Sequence, residues 1–184
     1  MSAPQTESPA AQNKAEASKG KKKRSARSQA IELGIRIAAT ALLIWVLLTF
    51  IIGIYIQHDN SSYPMIKDGD LCITLKLKKP ARGDVIAYKS DGKIRFGRIA
   101  AVGGDTVEIS DGSVKVDGYT SSEDTLYPTS EEGSKITYPY TVEKDHYFVL
   151  NDHRSDITDS RTLGAISEDD CKGKVIFIMR RRGF

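Results

Sequence analysis

The groups in this chain with chemistry to offer are few. The segment Asn60-Ser61-Ser62-Tyr63-Pro64 follows directly on the one long apolar run and sets a serine at the mouth of whatever folds after it. A serine hydroxyl becomes a useful nucleophile only when a base takes its proton in the transition state. Histidine, the usual base, occurs at 58, 146 and 153. His58 lies three residues before Ser61, beside the apolar run. His153 sits in a stretch with Asp152, Arg154, Asp159 and Arg161 that has the composition of a general acid–base centre and equally of a salt-bridge scaffold. Cys72 and Cys171 are too few for a disulfide framework and lack metal-ligand spacing, so they read as small apolar side chains on strands, with one disulfide as the alternative. Gly69-Asp70, Gly83-Asp84 and Gly103-Gly104-Asp105 are turn chemistry, not phosphate loops, because no helix start follows them. No pattern calls for a cofactor or a metal.

Three segments must position these groups. Residues 1–36 hold eight Lys/Arg against three acids, which leaves the remainder of the +3 chain at −2. The basic excess is therefore a property of the tail, and it excludes a nucleic-acid-binding fold. Low in large apolar residues, this tail reads as a disordered cytoplasmic segment. Residues 37–57 are an uncharged apolar run containing Trp45 and Tyr55, long enough at about 1.5 Å per residue to cross a hydrocarbon layer of about 30 Å. It is longer than a cleavable signal segment, and Ile54-Tyr55-Ile56-Gln57 offers no small-residue exit, so it is read as an uncleaved transmembrane anchor. Its basic flank places the N-terminus in the cytoplasm and residues 58–184 outside the cell membrane. Glu32 and Arg36, four apart, are set to pair on one helix face.

Residues 58–184 carry short β-type runs between turn signals: 71–75, 85–88, 147–150 and 175–179. Val107-Glu108-Ile109 and Val114-Lys115-Val116 alternate around Ser110-Asp111-Gly112-Ser113, a hairpin pattern. A mostly β, antiparallel domain follows. Residues 119–140, rich in Ser, Thr, Glu, Tyr and Pro, read as an exposed excursion whose tyrosines either meet a partner or pack the loop down.

Four collinear boxes resemble type I signal peptidases, membrane-bound Ser/Lys proteases of exported proteins. Ser61-Ser62-Tyr63-Pro64, trailing to Gly69-Asp70, is similar to the Ser-Met-x-Pro box. Pro80-Ala81-Arg82-Gly83-Asp84 matches the Pro-x-x-Gly-Asp strand, and Gly97-Arg98-Ile99-Ala100-Ala101-Val102-Gly103-Gly104-Asp105 resembles the Lys-Arg box. Asn151-Asp152-His153-Arg154, continuing to Asp159-Ser160-Arg161, resembles the final Asp-Asn-Arg…Asp-Ser-Arg box. The resemblance implies a signal-peptidase-like β fold with Ser61 at the nucleophile position. Ser62, Pro64, Arg98, Asp152, Arg154, Asp159 and Arg161 then lie near the site in structural roles.

The departures carry the functional reading. Gly97 stands where the resemblance places the lysine base, Ser62 replaces the methionine, and Ile157 stands where many members place a serine that holds the lysine. Arg95 shares a strand face with position 97, but arginine stays charged and cannot accept a proton. Lys93 shares the face yet starts about 13 Å from position 97, beyond its reach. A Ser61–His153 dyad is the remaining histidine route. The resemblance thus implies a membrane-anchored pseudoenzyme that binds an extended peptide, of a preprotein or a pilin, as an accessory factor in Gram-positive pilus assembly. Sortase or an active signal peptidase are the expected protein partners. Two alternatives stay open: an active or weakly active signal peptidase using Ser61, and an inert paralogue that holds or regulates an active one.

Overall fold

The computed structural model describes residues 26–121 and 127–181, and the chain divides into two compact units, 1–43 and 44–184. The cationic cluster Lys21 to Arg24, the tail before it and Arg182 lie outside the described residues. Helix α1, Ala26–Val46, continues as a π-helix over Leu47–Ile51. Together they make one helix long and apolar enough to cross a membrane, with none of its α1 residues buried. The Glu32–Arg36 pair forms at 2.6 Å on its exposed surface.

The apolar run is not helical to its end. Ile52–Ile56 leaves the helix as strand β1 and pairs antiparallel with β2, Leu71–Leu75. Its sequence explains the switch, since Ile52, Ile54 and Ile56 alternate with Gly53 and Tyr55, and β-branched residues at period two favour an extended chain. The anchor boundary at residue 57 therefore includes five residues that belong to a sheet.

The remaining strands are β3 (Val85–Ser90), β4 (Lys93–Val102), β5 (Thr106–Ser110), β6 (Ser113–Val116), β7 (Tyr119–Thr120), β8 (Tyr140–Thr141), β9 (His146–Leu150), β10 (Ile166–Ser167) and β11 (Cys171–Met179), with one short helix, α2 (Ser160–Leu163). The domain is mostly β, and every strand pair is antiparallel, as its sequence implies. Seven strands form one sheet in the order β1-β2-β11-β3-β4-β9-β10, and four form a second, β7-β6-β5-β8. Asp91-Gly92 joins β3 to β4 and Asp111-Gly112 joins β5 to β6, both residues of each pair at positive φ. That is the conformation a two-residue hairpin requires and that Asp-Gly tolerates.

Three buried clusters hold the sheets. Ile86, Tyr88, Ile99, Tyr147, Val149 and Ile166 form one; Ile66, Cys72, Val85, Ala87 and Phe96 form another. The third, around Val107, Val116 and Phe148, also receives Ile136, Tyr138 and Tyr140. Part of the 119–140 excursion is thus packed down, while Tyr119 at its start stays exposed. Cys72 and Cys171 are free thiols on β2 and β11, and burial, with the Asp70 charge adding to it, pushes the Cys72 thiol up to about 11.

β11 reaches two partners at once. It pairs with β2 through Lys174 to Met179 and with β3 through Cys171 to Lys174. The register slips between Cys171 and Gly173, where Gly173 adopts φ +113. A Cβ at that position would lie 2.5 Å from the Leu75 carbonyl oxygen, which is backbone and cannot rotate away.

A buried ion pair organises the far end of the sheet. Asp159 and Arg161 are fully buried and bound through two parallel bonds, Nε to Oδ1 at 2.9 Å and Nη2 to Oδ2 at 2.8 Å. Asp159 also caps α2 by accepting the Arg161 N–H and takes the Asn151 N–H at the end of β9. Arg161 spends its remaining donors on the Arg154 and Asp156 carbonyls. Breaking such a pair strands a buried charge, so Asp159→Ala is expected to cost about 3–5 kcal/mol in chemical denaturation of the detergent-solubilised protein. Gly173→Ala is expected to destabilise by about 2 kcal/mol or more in the same measurement, through left-handed strain plus the backbone clash.

Candidate functional site

The serine box is the turn that carries the chain from β1 back to β2. Ser61 is buried at 4 % exposure, and its carbonyl accepts the His153 backbone N–H at 3.0 Å. Ser62, also buried, donates its hydroxyl to the Phe96 carbonyl at 3.0 Å, and its own carbonyl accepts the Ile66 N–H. The turn is therefore fixed to β4 on one side and to the 151–156 loop on the other. Pro64 follows on the exposed lip.

The Ser61 hydroxyl faces a carboxylate and an amide. It donates to Asp59 Oδ1 at 2.6 Å and accepts a long bond from Gln57 Nε2 at 3.3 Å. The same Asp59 oxygen takes the Ser61 N–H at 2.9 Å and a Gln57 Nε2 hydrogen at 2.6 Å. Side-chain acceptance from the N–H two residues on is the ordinary Asx turn, so Asp59 shapes the backbone that presents the serine. Among the described residues no amine, imidazole or guanidinium lies within hydrogen-bond distance of this hydroxyl. Asp59 and Gln57 are the groups that the sequence reading missed. Their one signal in the sequence is the Asp-x-Ser spacing of an Asx turn.

Gly97 lies on β4 opposite Ile86, next to the Phe96 carbonyl that holds Ser62. A Cβ there would sit 2.5 Å from Val149 Cγ1 and 3.2 Å from the Leu150 carbonyl oxygen. The space that a side chain at 97 needs is filled by β9. Ile157 is turned elsewhere, with its Cδ1 close to Gly133.

His153 reaches Ser61 through its backbone alone. Its ring stacks on Tyr127 with centroids 4.9 Å apart, so the histidine dyad does not form. Asp152 accepts both Nε and Nη2 of Arg98 at 2.9 Å, an arrangement that ties the 151–156 loop to β4 just past Gly97. Arg98 also donates to the Gly83 carbonyl and the Met65 sulfur, so this one side chain of the third box touches the other three. Arg154 is buried, with Nη1 donating to Thr129 Oγ1 at 3.2 Å. Asp159 and Arg161 lie behind that loop, engaged with each other.

A cavity of about 720 Å³ opens beside Asp59, lined by Ile54, Tyr55, Ile56, His58, Lys93, Ile94 and Arg95. Its two walls are strand edges. β1 pairs only with β2, and β4 pairs with β9 only from Arg98 onward, so Lys93 to Gly97 keep the edge away from β3 without a strand partner. A site of this kind offers main-chain donors and acceptors on both sides of an extended chain.

A sequence profile described as "Signal peptidase, peptidase S26" matches residues 30–180. "Signal peptidase I T" of Bacillus subtilis (strain 168) is 28% identical over 162 residues, covering 80% of this chain and 84% of that protein. "Signal peptidase IB" of Staphylococcus aureus (strain Mu50 / ATCC 700699) is 28% identical over 173 residues, covering 82% and 90%. The crystal structure of a signal peptidase I from Enterococcus faecalis V583 shares 30% sequence identity at a TM-score of 0.48, covering 54% of this chain and 98% of that one. Matched by the family's profile along most of its length, the chain belongs to the signal peptidase family, peptidase S26.

Proposed function

We propose that this protein is a membrane-anchored signal-peptidase-like pseudoenzyme that holds an extended peptide segment, of a preprotein or a pilin, without cutting it. The observation that carries the reading is the Ser61 hydroxyl, which among the described residues meets Asp59 and Gln57 and no titratable nitrogen. Serine with a lysine base needs a neutral amine poised at the oxygen. Glycine supplies none, and the room for one is taken by Val149 and Leu150. Recognition needs less. The two unpaired edges beside the cavity supply a strand-addition site whose function is independent of a base.

The anchor is α1 with its π-helical end, the N-terminus lies in the cytoplasm, and the β domain is extracytoplasmic. The basic tail supports this orientation. A broken Ser/Lys pair on a signal-peptidase frame resembles the accessory members of Gram-positive pilus-assembly clusters, which favours a pilin segment as ligand and a sortase as the neighbouring enzyme. The 2.6 Å bond from Ser61 to Asp59 favours a second reading, slow hydrolysis with the carboxylate as base. Carboxylates are weak bases towards an alcohol, and loss of a member of a catalytic unit leaves only about 10³–10⁴-fold over water from binding and oxyanion contacts.

The two readings separate in a cleavage assay on a purified preprotein in neutral detergent. The native protein and Ser61→Ala are expected to give the same background rate; cleavage by native protein that disappears in Ser61→Ala and in Asp59→Asn would establish the carboxylate-driven enzyme instead. Gly97→Lys, alone or with Ile157→Ser, is expected to give no cleavage and to lower stability by about 1–3 kcal/mol, because the new side chain is forced into packed β9. Thermal unfolding of the same preparations reads the second effect.

A further inference from the structure

Arg95 is one of the two cations lining the cavity. Its Nε is buried without a hydrogen-bond partner, and no ion pair involves it among the described residues. The residue directly opposite on β3 is Tyr88, fully buried, whose hydroxyl also lacks a partner there. Two orphan donors side by side on one sheet face are costly unless an acceptor arrives to meet them. Lys93, on the same face of β4, adds a second positive charge to the lining, and His58 stands on the opposite wall. Asp59 is the one acidic residue in the lining, and the hydrogen-bonding oxygen of its carboxylate already takes three donors from Ser61 and Gln57.

The remaining lining is Tyr55 with the apolar Ile54, Ile56 and Ile94, and the walls are unpaired strand edges. These edges suit an extended polypeptide, and the charge suits a carboxylate. We propose that the cavity selects an extended peptide carrying an Asp or Glu side chain, with Arg95 as the specificity-determining residue that pairs with that carboxylate. The inference rests on the peptide-binding reading above and adds the chemistry of what is bound. An arginine two residues from Gly97 cannot take the serine proton, but its planar fork matches a carboxylate through two parallel bonds.

The test uses the full-length protein in neutral detergent micelles and fluorescence anisotropy. The probes are N-acetylated, C-amidated decapeptides of Ala, Val and Thr in which one position at a time is Glu or Gln, so the end caps remove any terminal carboxylate. At one register the Glu peptide is expected to bind about tenfold more tightly than its Gln twin, the scale of a charge-assisted bond. Arg95→Gln is expected to shrink that difference below about twofold, chiefly by weakening the Glu peptide; Arg95→Lys, which keeps charge and loses the fork, is expected to fall between. Equal Glu and Gln affinity at every position, or a preference that survives Arg95→Gln in protein with native thermal unfolding, overturns the carboxylate assignment and leaves peptide binding intact. Failure of both peptide sets to bind sinks the peptide-binding reading itself. Arg95-dependent binding to phosphatidylglycerol vesicles without a Glu preference would reassign the cavity to a lipid headgroup and likewise overturn the proposal.

Discussion

The Asp159–Arg161 pair is the constraint on which the site depends. Both groups are removed from water, so their mutual attraction and every remaining donor must be satisfied internally. They are satisfied by backbone that is otherwise irregular: the Asn151 N–H, and the Arg154 and Asp156 carbonyls. The 151–156 loop is thereby held rigidly, and from it Asp152 grips Arg98 while the His153 N–H meets the Ser61 carbonyl. Each link is local chemistry, yet the chain of them runs from a buried salt bridge to the presentation of one serine.

At the serine itself two physical demands compete. Presenting a hydroxyl at a turn needs acceptors for the local N–H groups, and Asp59 provides one oxygen for three donors. Activating that hydroxyl needs a strong base in the same place. Glycine at 97, with Val149 against it, supplies no side chain for the second demand. The unpaired edges of β1 and β4 answer to neither demand.

Much of the fold is legible in the sequence because its signals are local. Period-two alternation marks β5 and β6, short apolar β-type runs mark β2, β3 and β9, and Asp111-Gly112 marks a hairpin whose two positive φ values few other dipeptides accept. β1 is hidden because Ile52–Ile56 continues an apolar run, and in a continuous run neither helix nor strand periodicity stands out. The site divides along the same line. Gly97 and Ser61 are visible against a motif, whereas the Arg98–Asp152 bond spans 54 residues and the occupation of Gly97's space by Val149 depends on register between β4 and β9. His153 illustrates the limit well: sequence places it near the serine, and only the fold shows that its backbone and not its ring makes the contact.

The place of β11 carries a consequence for biogenesis. β11 inserts between β2 and β3, and the Thr74 hydroxyl that it engages through the Lys172 carbonyl is 98 residues earlier in the chain. Until that late segment has been synthesised, the flanks of β2 and β3 have no covering strand, so the early half of the domain stays an open, adhesive template. Closure of the seven-stranded sheet therefore waits for residues 171–179, and the folding of its early strands is coupled to a segment made much later.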